Sequence, residues 1–136
     1  MKKNFKNMKA EDVMINPVLC SLITASAKNI AEKLATTKYH GIPIVNEDEE
    51  LVGIVTEKNI LLALTQGKEL SSTLADEIMS SPAITAEKQS LLTAIIKVMM
   101  KKDITRVVIT ESNKVVGIVS QHDIVKALKK DDFFEL

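Results

Sequence analysis

The sequence predicts a mixed α/β (α+β) chain built from two tandem repeats, on three observations. The block Val52-Gly53-Ile54-Val55-Thr56-Glu57-Lys58-Asn59-Ile60-Leu61 returns as Val116-Gly117-Ile118-Val119-Ser120-Gln121-His122-Asp123-Ile124-Val125. A second block, Val13-Met14-Ile15-Asn16-Pro17, returns as Ile78-Met79-Ser80-Ser81-Pro82 in the same order. Between the two blocks, each half carries apolar residues at helical spacing and then two short apolar runs. Recurrence of this kind marks a duplicated supersecondary unit. The repeats are expected at 10–65 and 74–130, related by approximate twofold symmetry. Residues 66–73, polar and carrying Gly67, join them.

Each repeat is expected to run helix, strand, helix, strand, strand, helix. Ala27, Ile30, Ala31 and Leu34 recur at the spacing of one helical face. Its counterpart over 90–102 carries Leu91, Leu92, Ile95, Ile96, Val98, Met99 and Met100, a band wider than one face. Ile42-Pro43-Ile44-Val45 and Leu51-Val52-Gly53-Ile54-Val55 are continuous apolar runs, which read as strands covered on both sides. Val107-Val108-Ile109 and Val115-Val116-Gly117-Ile118-Val119 repeat that reading. Glu47-Asp48-Glu49-Glu50 faces the shorter Ser112-Asn113-Lys114, and both read as hairpin turns, where length changes are tolerated.

Composition bounds the partners. Apolar residues make up 46% of the 136, enough for a core. The 18 basic and 18 acidic residues cancel, which leaves no basic stripe for phosphate backbones. Aromatics at 3% leave no stacking platform for single strands. No nucleic-acid partner is expected; a small molecule or a protein is. Cys20 is the one cysteine, so no intrachain disulfide is expected and a reducing compartment suits the chain. Met1-Lys2-Lys3-Asn4-Phe5-Lys6 is basic but precedes no long apolar stretch, and runs such as 60–64 are too short to span a bilayer. No membrane association and a cytoplasmic location are expected.

Thr56 and Ser120 each follow a strand and open a helix, with Asn59 and Asp123 three residues on. Hydroxyls there are ordinary N-caps. Their recurrence in register behind Val-Gly-Ile-Val suggests more than capping, because the glycines permit close approach by a ligand or another element. A carboxylate in that setting can accept from both hydroxyls of a ribose. Zinc chemistry is not suggested by two histidines and one cysteine at these spacings. No Gly-rich phosphate loop and no Gly-x-Ser-x-Gly elbow occurs.

The Met-x-x-Pro lead-in, the element order and the closing Gly-hydrophobic-x-Thr/Ser-x-x-Asp/Asn resemble the cystathionine β-synthase (CBS) domain family. Two copies in one chain resemble a tandem pair, or Bateman module, over nearly all of 10–130. The resemblance implies a pseudo-twofold pair whose clefts between repeats bind adenosyl ligands: AMP, ADP or ATP foremost, with S-adenosylmethionine and cyclic di-AMP as further members of the class. It implies a regulatory sensor, no required cofactor and no catalysis. Carried over by position, Ser120 and Asp123 would hold ribose, and Arg106 would meet phosphate through its guanidinium fork. In the first repeat Thr56 and Asn59 take those places, with His40 near the phosphate position. Asn59 has one acceptor oxygen in place of two anionic ones, so weaker ribose binding is expected there. Adenine would rest on Ile42, Ile54, Val107 and Ile118, with backbone of Met14 to Val18, including Pro17, and of Met79 to Ala83, including Pro82, meeting its edge; plain core explains each of these equally well.

The broad apolar band on 91–100, with 60–64, predicts a homodimer packed through helices, as family members usually form. A regulated protein partner is a further expectation. The competing reading is a protein-docking or dimerisation adaptor with vestigial clefts, favoured by Asn59 and by Val108 in place of Pro43. An enzyme working with a partner is a third reading, disfavoured because no acid–base or nucleophile set is assembled. The tail Asp131-Asp132-Phe133-Phe134-Glu135-Leu136 suggests neither docking nor freedom over the other.

Overall fold

A computed structural model describes residues 4–130, so the C-terminal tail lies outside the described residues. The chain divides into two compact units that do not follow the sequence repeats. One gathers the residues up to Pro17 with those from Ile84 onward; the other is Val18–Ala83. Each lead-in has therefore left its own repeat and joined the sheet of the other.

In the Val18–Ala83 unit, β1 (Ser21–Leu22) pairs parallel with β2 (Gly41–Val45), which pairs antiparallel with β3 (Leu51–Thr56). The crossover between the parallel strands is α2 (Ala27–Thr36), as parallel pairing requires. Ser26 caps it, its Oγ accepting from Asn29 N at 3.0 Å. The β2–β3 turn is shaped by Asn46, whose Oδ1 accepts from the amides of Asp48 and Glu50 at 3.0 and 2.9 Å. α3 (Glu57–Thr65) follows β3 without a break, and the short α4 (Ala75–Ile78) closes the unit. Ala27, Ile30 and Leu34, three residues at predicted helical spacing, pack on Ile42, Ile44, Val55 and Ile60 to form the core.

The other unit repeats the plan. α1 (Ala10–Val13) is followed, after the chain returns, by β4 (Thr85–Ala86), α5 (Leu92–Lys102), β5 (Arg106–Glu111), β6 (Lys114–Ser120) and α6 (Gln121–Lys130). The sheet order is β4-β5-β6, again with one parallel and one antiparallel pair. Ser112 and Asn113 both adopt positive φ, 51° and 61°, the backbone a two-residue hairpin turn favours. Leu92, Ile95 and Met99 of α5 meet Val107, Ile109, Val119, Ile124 and Ala10 in the core. The wide apolar band over 91–100 thus splits: these three are buried, while Leu91, Val98 and Met100 are exposed.

Candidate functional site

The lead-ins reach their sheets by isolated bridges. Ile15 N donates to Ile118 O at 2.9 Å and Ile118 N to Ile15 O at 3.2 Å, which lays residues 14–17 along the free edge of β6. In the other unit, Ile54 and Ser80 exchange the same two bonds at 3.0 and 2.9 Å. Ser81 Oγ adds a bond to Val52 O at 2.8 Å. Each closing motif therefore works with the lead-in of the opposite repeat.

The motif glycines are explained by this arrangement. A Cβ on Gly53 would lie 2.6 Å from Met79 Sδ and 2.8 Å from the carbonyl oxygen of Ser80. One on Gly117 would run into the Sδ and Cγ of Met14. Of the two roles the sequence left open for these glycines, close approach by another element is the one seen: a thioether lies over each.

At the end of β6, Ser120 and Asp123 form a reciprocal cap. Asp123 Oδ2 accepts from Ser120 N at 2.9 Å and from Ser120 Oγ at 2.8 Å, and Asp123 N donates to that same Oγ at 3.1 Å. The other carboxylate oxygen has no hydrogen bond among the described residues, and Asp123 lines a hollow of about 240 Å³ with Met14, Asp12 and Lys126. Arg106 stands directly across from Ser120 in the β5–β6 register. Its Nη1 donates to Thr105 Oγ1 at 2.7 Å, and Thr105 O accepts from Gln121 N at 3.0 Å. The start of β5 is thus tied to the first turn of α6, with Arg106 beside Ser120 in the strand register, while the hollow beside Asp123 is lined from α1 and α6.

The Thr56 site has the same plan and different chemistry. Asn59 Oδ1 accepts from Thr56 N at 2.8 Å and from Thr56 Oγ1 at 3.1 Å. Asn59 Nδ2 donates to Ser80 Oγ at 3.3 Å. Gly41 occupies the register position across from Thr56, where Arg106 stands in the other unit. His40 Nδ1 lies 3.3 Å from Glu57 Oε2, both side chains largely exposed.

Of the residues predicted for a ligand, one unit holds Ser120, Asp123, Arg106, Ile118, Met14 and Pro17, of which Asp123 and Met14 share the hollow. The other gathers Thr56, Asn59, Ile54, Met79 and Pro82, with His40 beside Glu57. Ile42 and Val107 are 0% and 1% exposed, and their side chains belong to the two cores, so what they offer a ligand is main chain. Sequence reasoning did not single out Ser80 or Thr105; the hydroxyl beside Arg106 was the available signal for the latter. Burial pushes the Cys20 thiol up, with Lys33 pulling less strongly the other way, which is the reverse of an activated nucleophile. Among the described residues no three His, Cys, Asp or Glu side chains group as metal ligands, and no helix is long and apolar enough to cross a membrane.

Comparison with known proteins agrees with the duplicated plan. Residues 10–66 and 75–130 each match the family model of the CBS domain. An uncharacterized protein of Methanopyrus kandleri is 32% identical over 123 residues, 89% of this chain and 63% of its own length. The L-aspartate semialdehyde sulfurtransferase of Methanocaldococcus jannaschii is 32% identical over 115 residues, 84% of this chain but 22% of that enzyme. The chain thus spans less than two thirds of either relative. Among solved structures, the CBS domain pair of protein MJ0100, in complex with 5′-methylthioadenosine and S-adenosyl-L-methionine, superposes with a TM-score of 0.84 at 29% identity, covering 90% of this chain and 97% of that one.

Proposed function

Since the chain belongs to the CBS domain family, we propose that it is a non-catalytic regulatory module that binds an adenosyl ligand at Ser120, Asp123 and Arg106. The observation that carries this reading is the half-used carboxylate of Asp123. Ser120 fixes one oxygen and leaves the other to accept from a ribose hydroxyl. Support for the adenosyl class comes from the CBS domain pair of MJ0100, whose two ligands share an adenosine group. Within 10–66 and 75–130 the sequence is accounted for by the two repeats, without a catalytic domain among them.

Arg106 favours AMP, ADP or ATP within that class, because its donor fork matches phosphate oxygens. Isothermal titration with AMP, ADP, ATP, S-adenosylmethionine and cyclic di-AMP tests the reading, and absence of heat from all five removes it. Arg106→Ala is expected to weaken AMP about tenfold and to leave 5′-methylthioadenosine, which has no phosphate, unchanged. Equal losses for both would take phosphate recognition away from Arg106.

We also propose a homodimer. Leu61, Leu62 and Leu64 on α3 are exposed, Leu61 at 61%, as are Leu91, Val98 and Met100, the last at 63%. Apolar side chains clustered on helices in this way fit an interface. Light scattering at micromolar concentration should give twice the chain mass; a monomer would contradict the proposal.

A further inference from the structure

The outer helical faces of the two units differ in shape. Ala27, Ile30 and Leu34 fill one core where Leu92, Ile95 and Met99 fill the other, so Ala31 and Ala35 on α2 correspond to Ile96 and Met100 on α5. Beside them, Leu61 on α3 corresponds to Val125 on α6, since Ile60 and Ala63 are buried as Ile124 and Ala127 are. The two alanines leave a channel. Ala31, Leu34, Ala35, Glu57, Ile60 and Leu61 line a largely apolar groove of about 270 Å³ between α2 and α3. On α5 the alanine positions carry long aliphatic side chains, and Met100 is exposed, so a ridge stands where the other unit has its groove.

The faces differ in charge as well. Lys97 and Lys101 follow Ile96 and Met100 by one residue, and Lys126 and Lys129 follow Val125 by one and four; all four lysines are exposed. The corresponding positions on α2 and α3 are Glu32, Thr36, Leu62 and Thr65, with no cation among them. On that face Lys28 and Lys58 balance Glu32 and Glu57, while Lys33 Nζ turns to Ser21 Oγ at 2.8 Å.

Resting on the homodimer reading above, we propose that the dimer pairs unlike faces: the α5–α6 ridge of each copy seats in the α2–α3 groove of the other. A twofold axis makes this contact twice and closes the assembly. Ile96 and Met100 then occupy the room left by Ala31 and Ala35, as ridges-into-grooves packing requires. Like-with-like pairing would set lysine against lysine at one contact, which is unfavourable, and leave two grooves facing each other unfilled at the other.

The test is cross-linking on the full chain carrying Cys20→Ser, so that only introduced thiols react. Chains bearing Ala35→Cys are mixed with chains of different mass bearing Met100→Cys and treated with a short bis-maleimide. The mixed dimer is the expected product, and neither chain alone should link to itself. Both positions are exposed, so both variants are expected to fold. Self-linking of each chain alone would overturn the unlike pairing and leave the dimer standing. A second readout exchanges knob and hole. Ala35→Met and Met100→Ala should each raise the dimer dissociation constant about tenfold, and the combined variant should return to within about threefold of the unaltered chain. Losses that simply multiply would place the two residues in separate contacts and overturn the proposal. A monomer mass for the unaltered chain would overturn the homodimer reading itself, and this inference with it.

Discussion

Asp123→Asn is expected to lower affinity for an adenosyl ligand about 10- to 100-fold while leaving stability almost unchanged. A hydrogen bond to a charged acceptor contributes about 1.5–3 kcal/mol, against about 1 for a neutral one. The substitution removes the charge and turns the outer oxygen into an amide donor. The cap survives, because an asparagine oxygen can receive both Ser120 donors, as Asn59 does for Thr56 at 2.8 and 3.1 Å. Asp123→Ala removes the ligand acceptor and the carboxylate half of the cap together, leaving the amide of residue 123 on Ser120 Oγ, and about 1 kcal/mol of stability should go with the lost bond. Titration calorimetry and thermal unfolding on the two variants separate the effects. Unchanged affinity in Asp123→Asn would show that ribose is held elsewhere.

Gly53→Ala is expected to cost about 2–3 kcal/mol, with Gly117→Ala nearer 1 kcal/mol. The difference comes from what the new methyl meets. At Gly53 it lies 2.8 Å from a backbone oxygen, that of Ser80, which is held by the paired bonds between Ile54 and Ser80. Relief requires moving the lead-in off the edge of β3 and losing those bonds. At Gly117 the two closest atoms, Met14 Sδ and Cγ, lie on a side chain whose rotatable bonds let them swing aside, and Met14 Cβ, at 3.1 Å, need yield only slightly. Urea denaturation of both variants measures the gap. Equal losses would mean that the Ser80 carbonyl yields as readily as a thioether.

The strands, the helices and the capped ends were legible in the sequence because each depends on neighbours close along the chain. Ser120 and Asp123 are three residues apart, so their reciprocal bonds are written in local order. Ile30 and Leu34 declare a buried face by spacing alone. The partner of each motif was not legible. Ile15 meets Ile118 across most of the chain, and Val13-Met14-Ile15-Asn16-Pro17 resembles Ile78-Met79-Ser80-Ser81-Pro82 too closely for pattern to assign either to a sheet. Ser80 went unnoticed for that reason: it matters only because its lead-in lies against Asn59. A methionine at the matching position of both lead-ins, with a glycine at the matching position of both motifs, was the one trace of the pairing. Ile42 and Val107 show the opposite difficulty, since an apolar residue at a strand start looks the same in sequence whether it lines a ligand or fills a core.

The exchange of lead-ins makes the halves of this gene product poor candidates for separation. A fragment ending in the connector would carry the 14–17 strip with no sheet to lie on, and a β3 edge stripped of the strip that normally covers Gly53. The complementary fragment would lack the thioether over Gly117. Each half is thus obliged to be made with the other.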